Sequence, residues 1–244
     1  MKSKLTITWL LSYISIASVS SAIITPALPQ IQAQFGLTLG AVEWVVSAFL
    51  MGYVLGQLIY GPLANAYGRL KSLRLGLSIN LFGLMVCLIA TSFQLYPLLV
   101  LGRFITGLGA ASGLACTFML INEWLPEPQR KTAMAYSILS FALGIGLAVM
   151  IGGVITQYWQ WEGCFVVLMT QGVLMLIGTR VFSETLSQPK PIQMKRLLED
   201  YQQALSSKTL VVFSMLVGTC SMMGYCFSAA VIYSREGLMW PPMP

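Results

Sequence analysis

The 244-residue chain contains no histidine, and its 14 lysines and arginines are set against only 8 aspartates and glutamates. Without imidazole it lacks the commonest metal ligand and the side chain best suited to moving protons near neutral pH. Only 9% of its residues are charged, where about 25% is usual for a soluble domain. So little charge cannot clothe a water-exposed surface of this size. The five cysteines, Cys87, Cys116, Cys164, Cys220 and Cys226, lie in or beside apolar runs and form no CxxC pair, so they read as small packing residues. No nucleophile with its base, no metal cluster and no phosphate loop is visible. Enzymatic activity therefore has no support, and neither a cofactor nor a metal is expected.

What the chain has is apolar length. Apolar residues make up 57%, and the mean hydropathy is +0.77. A bilayer core takes about 20 apolar residues per helix. Seven stretches qualify, at about Leu5 to Thr25, Val42 to Tyr60, Leu73 to Ala90, Leu98 to Ile121, Ala133 to Ile155, Cys164 to Phe182 and Leu210 to Tyr233. The first is too long for a signal-peptide core and reads as a retained span. With the amino terminus inside and strict alternation, 12 of the 14 lysines and arginines fall on the cytoplasmic side, all but Arg103 and Arg235. The net charge of +6 is then a topology signal, with the lipid bilayer as partner and no nucleic acid expected.

Some positions stand out within this frame. Gly61 to Leu73 reads as a basic turn, with Gly61, Pro62 and Gly68 as breakers and Arg69, Lys71 and Arg74 at one membrane edge. Gln30 to Gly40 reads as a polar external loop following Pro26 to Pro29. Arg103 is the one charge well inside any span; facing the bundle interior or snorkelling to the outer headgroups are its two readings. Gly52 with Gly56, and Gly107, Gly109, Ala110, Ala111 and Gly113, give thin faces for close helix contact. Gly144, Gly146, Gly152 and Gly153 either permit bending of the fifth span or pack it closely. The serines of the first span either line a cavity or serve packing. Met194 to Ala204 is expected as an amphipathic helix on the inner leaflet.

These residues resemble the major facilitator superfamily of secondary transporters, most nearly its Bcr/CflA-type drug:proton antiporters. The family's loop between helices 2 and 3 is matched by Gly61, Leu63, Ala64, Gly68 and Arg69, and its helix 4 pattern by Arg103, Gly107, Gly109, Ala110 and Ala111. Pro26 to Pro29, Trp159 to Trp161 and Glu184 to Leu186 match in order as well. The resemblance implies an all-α membrane fold, a six-helix bundle of 3+3 inverted repeats plus a seventh transmembrane helix. It divides the chain into a bundle (1–182), a cytoplasmic linker (183–208) and helix 7 with its tail (209–244). It also implies a conformational latch at Gly61, Asn65, Gly68, Arg69 and Glu123, and a proton or substrate pathway at Arg103, Thr106, Gln57 and Tyr53. Gly144, Gly146, Gly152 and Gly153 become the flexing glycines of helix 5.

The implied function is efflux of drugs or other small organic solutes by alternating access at the bacterial inner membrane, with the proton gradient as energy source. Asn65 stands where the family has Asp, and Ala148 to Gly153 lacks the family's proline. Family members carry twelve helices, so a missing second half or a second copy would be needed for a full cavity. The sequence leaves two alternatives open: a truncated, non-transporting remnant or membrane interaction partner, and a facilitator-type uptake transporter.

Overall fold

The computed structural model describes residues 4–186, 194–216, 218–219 and 222–223. The chain divides into two compact units, 1–191 and 192–244. In the first unit the helices are α1 (Lys4–Ser12), α2 (Ser15–Ala22), α3 (Leu28–Phe35), α4 (Leu39–Val42) and α5 (Trp44–Tyr67). They are followed by α6 (Arg69–Ser92), α7 (Tyr96–Trp124), α8 (Glu127–Tyr158) and α9 (Gly163–Gly178). Among the described residues six helical segments are long and apolar enough to cross a membrane: Ile7–Phe35, Leu39–Tyr67, Arg69–Ser92, Tyr96–Trp124, Glu127–Tyr158 and Gly163–Val181. The expected seventh, Leu210 to Tyr233, lies largely outside the described residues. In the second unit α10 (Met194–Ser206) is helical where an amphipathic helix is expected.

The first span is broken rather than straight, and its serines explain how. The hydroxyls of Ser12, Ser15, Ser18 and Ser21 each donate to the carbonyl three residues earlier, at 2.6 to 3.0 Å. Such bonds compete with the regular ladder and bend a helix. The break between α1 and α2 falls within this series. These hydroxyls therefore satisfy their own backbone. Pro26 and Pro29 do not end the span, because both occupy the first turn of a helical segment, where a missing N–H costs nothing. The expected external loop from Gln30 is instead α3, which runs to Phe35 and stops at Gly36 in the left-handed region (φ 61°).

A second correction concerns the basic turn. Gly61 and Pro62 lie inside α5, and the reversal is made by Gly68 alone at φ 114°. A φ of that sign favours glycine over any side chain. The helices reach the turn from both sides, so no loop separates them.

The core is a wedge in which α7 packs between α5 and α6. A Cβ on Gly107 would meet the backbone of Phe49 and Tyr53 on α5, and one on Gly109 would meet Asn80 and Gly76 on α6. From the other side, Gly52 and Gly56 of α5 face Phe104, Leu108 and Ala111. Glycine against backbone lets three helices approach closely and bury their carbonyl-rich surfaces, the packing favoured where lipid offers no hydrophobic drive. Leu10, Tyr13, Leu73, Leu77 and Leu120 fill one end of the core, while Ile24, Ile31, Leu84 and Phe165 fill the other.

Candidate functional site

Two clusters place the residues singled out in the sequence. The first lies where α5, α6 and α7 end beside the segment after α9. Because Gly68 precedes α6, that helix has no side chain of its own to cap its first amides. Glu184 supplies the cap from 115 positions away, its carboxylate accepting from the backbone N–H groups of Arg69 (2.8 Å), Leu70 (3.1 Å) and Lys71 (3.4 Å). A carboxylate at a helix amino terminus also meets the positive end of the dipole. Burial pushes Glu184 upward, but hydrogen bonds from the backbone of Arg69, Leu186, Lys71 and Thr185 outweigh it and hold the carboxyl below its ordinary value.

Arg69 closes the same cluster. Its Nη2 pairs with Glu123 Oε1 at 2.6 Å, and its Nη1 donates to the carbonyl of Ala64 at 3.0 Å. Thr185 Oγ1 donates to the other oxygen of Glu123. One guanidinium thus ties the end of α5 to the end of α7, and one carboxylate ties α7 to the segment beyond α9. Beside it Arg74 donates through Nε and Nη2 to Oγ1 and O of Thr179, at 2.9 and 3.2 Å.

Of the latch residues expected from the sequence, Gly68, Arg69 and Glu123 come together. Asn65 does not: it is exposed on α5, and its side chain makes no hydrogen bond among the described residues. Gly61 lies mid-helix near Met119. The acid that faces the amino terminus of α6 is Glu184, which sequence reasoning placed only in a matched motif. Its position just past a span, with Thr185 following, was the available signal. Distance along the chain hid its partner.

The second cluster surrounds Arg103. It does not snorkel: the side chain is 0% exposed. Nε donates to the Val45 carbonyl at 3.0 Å and Nη2 to the Ser20 carbonyl at 2.9 Å, while the guanidinium lies 4.6 Å from the Phe49 ring centroid. Carbonyl dipoles and a ring face replace a counter-ion. Nη1 has no hydrogen-bond partner among the described residues. Tyr53 stacks on Phe49, and Gln57 donates to the Ala111 carbonyl at 3.4 Å. Thr106 turns to the opposite neighbour: its Oγ1 donates to Gly102, and its carbonyl accepts from Asn80 Nδ2. So Arg103, Tyr53 and Gln57 belong to the α5 side of α7 and Thr106 to the α6 side.

Of the four glycines in α8, Gly144 and Gly152 pack against Ser18 and Ile23, whereas Gly146 and Gly153 have open space where a Cβ would stand. The helix is continuous from Glu127 to Tyr158.

Comparison with known proteins agrees with this architecture. The chain is 30% identical over 164 residues to the multidrug resistance protein Stp of Mycobacterium tuberculosis, an alignment covering 66% of this chain and 30% of that protein. It is 24% identical over 191 residues to multidrug resistance protein D of Escherichia coli, covering 78% and 47%. The chain thus spans about a third to a half of these curated relatives. Among solved structures, a proton:xylose symporter bound to 6-bromo-6-deoxy-D-glucose shares the fold at a TM-score of 0.66 and 17% identity, over 74% of this chain and 45% of that one. The family model described as Major Facilitator Superfamily matches residues 10–242. With six apolar helical segments among the described residues and a match across nearly its whole length, this chain belongs to the Major Facilitator Superfamily.

Proposed function

We propose that the chain is the amino-terminal half of a carrier that exports small organic compounds by alternating access, powered by the proton gradient, at the bacterial inner membrane with its amino terminus in the cytoplasm. Members of this family are transporters rather than enzymes. The observation that carries export is the 164-residue alignment with a protein named for multidrug resistance. The cluster at Glu184, Arg69 and Glu123 supports alternating access. It joins four helix ends by contacts near the water boundary, where water can replace each partner as the bundle rocks. Arg103, with Nη1 free of an acceptor, supports a polar pathway beside Tyr53 and Gln57. Gly144 and Gly152 support close packing of α8 on α2 in this state. A second half, or a second copy of this chain, completes the cavity.

The test is dye retention in an efflux-deficient strain expressing the chain. Lower retention than the empty strain is expected, reversed by Arg69→Ala. Unchanged retention, with the protein confirmed in the membrane, overturns the reading.

A further inference from the structure

At the end of the bundle opposite the basic cluster, α3 and the turns before α7 and α9 enclose an open cleft of about 430 Å³. Its aromatic wall is Trp159 and Trp161. Trp161 is fixed: it is 3% exposed, its Nε1 donates to Gln34 Oε1 at 2.6 Å, and Phe35 and Phe165 meet it edge to face. Trp159 is 75% exposed and lines the cleft. Between them and α9 stands Glu162, whose Oε2 is shielded from water and has no hydrogen-bond partner among the described residues. The remaining lining consists of the amides of Gln30, Gln34, Gln94 and Gln160. Gln94 sits in the left-handed region (φ 51°), which presents it from a tight turn.

The chemistry selects one kind of occupant. A desolvated carboxylate oxygen without a donor is costly and gains most from a cation or an N–H group. Tryptophan faces attract cations, quaternary ammonium above all. The segments at this end, residues 28–47, 92–98 and 156–164, contain Glu43 and Glu162 but no lysine or arginine. Their field therefore concentrates cations and repels anions. A neutral sugar would use the glutamines but bring no charge near the Glu162 carboxylate.

We infer that this cleft is a peripheral binding site for organic cations of the quaternary or lipophilic amine class, with Glu162 as counter-ion and Trp159 as the ring face. It lies apart from Arg103 and from the Arg69 cluster, and its occupancy does not require transport.

The experiment places a reporter in the cleft. Gln94→Cys, purified in lipid nanodiscs, is labelled with a cationic and an anionic thiosulfonate reagent, each rate normalised to a free thiol in solution and corrected for the parent chain's labelling. The cationic reagent should react about 10-fold faster, within the range that local fields give, and the ratio should fall toward one in Glu162→Gln. Tetraphenylphosphonium should slow labelling by a neutral reagent. Trp159→Ala should weaken that protection by about 3-fold to 5-fold. The parent's near-ultraviolet dichroism, retained in each variant, shows that folding is not the cause. A reagent ratio near one in Gln94→Cys, a ratio unchanged by adding Glu162→Gln, or protection by methyl glucoside but not by tetraphenylphosphonium would overturn the assignment.

Discussion

Arg69 and Arg103 do the same job in opposite ways. Arg69 sits at a helix end, 11% exposed, with a carboxylate 34% exposed as partner. Arg103 is fully buried, and its partners among the described residues are two backbone carbonyls and a ring, with no carboxylate. The difference shows what each cation can exchange its partners for. A pair at the water boundary can exchange its partner for water at little cost, whereas a buried guanidinium has nothing to exchange with. The contacts of Arg69 therefore cost less to break than those of Arg103.

Unfolding of the purified chain, followed by a thiol-reactive dye that reports exposure of buried Cys87, Cys116 and Cys164, puts this contrast to the test. Arg103→Ala should have the largest effect. It strips two carbonyls of their donors and leaves a cavity beside Phe49, costing about 3 kcal/mol. Arg103→Lys should recover only part, since an ammonium cannot span Val45 and Ser20 as a fork does. If Arg103→Ala proves no worse than Arg69→Ala, the contrast fails.

Arg69→Ala comes next, at about 1.5 kcal/mol, because the Ala64 carbonyl loses its donor while the exposed Glu123 takes water in place of its cation. The exchange Arg69→Glu with Glu123→Arg should restore only part of what each single reversal loses. A glutamate at position 69 would sit beside Glu184, and the Ala64 carbonyl would lose its donor. Additive damage in the double variant would mean that the pair contributes no coupling.

Glu184→Gln should cost about 1 kcal/mol, discounted for the exposure of this carboxylate. The smallest effect is on pH. Because the folded state holds Glu184 below its ordinary value, the cap's contribution is present above that value of 4.5 and is lost as pH falls below it. The parent should therefore lose thermal stability between pH 6 and pH 3.5 more steeply than Glu184→Gln. Parallel curves would remove Glu184 from the cap.

Much of the fold was legible along the chain because a membrane imposes length and charge rules that local sequence cannot evade. Six of the expected spans appear where apolar length places them, and Gly107 and Gly109 mark the face on which α7 packs. The ends of elements were less legible. Gly61 and Pro62 read as breakers, yet α5 runs through both, and Pro26 and Pro29, ahead of the expected external loop, each stand in the first turn of a further helical segment. The partner of α6's amino terminus was the least legible. Asn65, four residues before Arg69, looked like its neighbour, while Glu184 was assigned only by folding.

The sequence by itself determined that this chain is a multi-span helical membrane protein, because about 20 consecutive apolar residues leave a chain no other way to satisfy its backbone in lipid. It determined where the thin helix faces lie, since only small residues permit such approach. The tertiary structure alone decided which charge meets which. It sent Arg103 to two carbonyls instead of the headgroups, gave Glu184 rather than Asn65 the end of α6, and gathered Trp159, Trp161 and Glu162 with distant glutamines around one cleft. Hydrogen bonds and ion pairs act over a few ångströms in space, and chain order does not encode that distance.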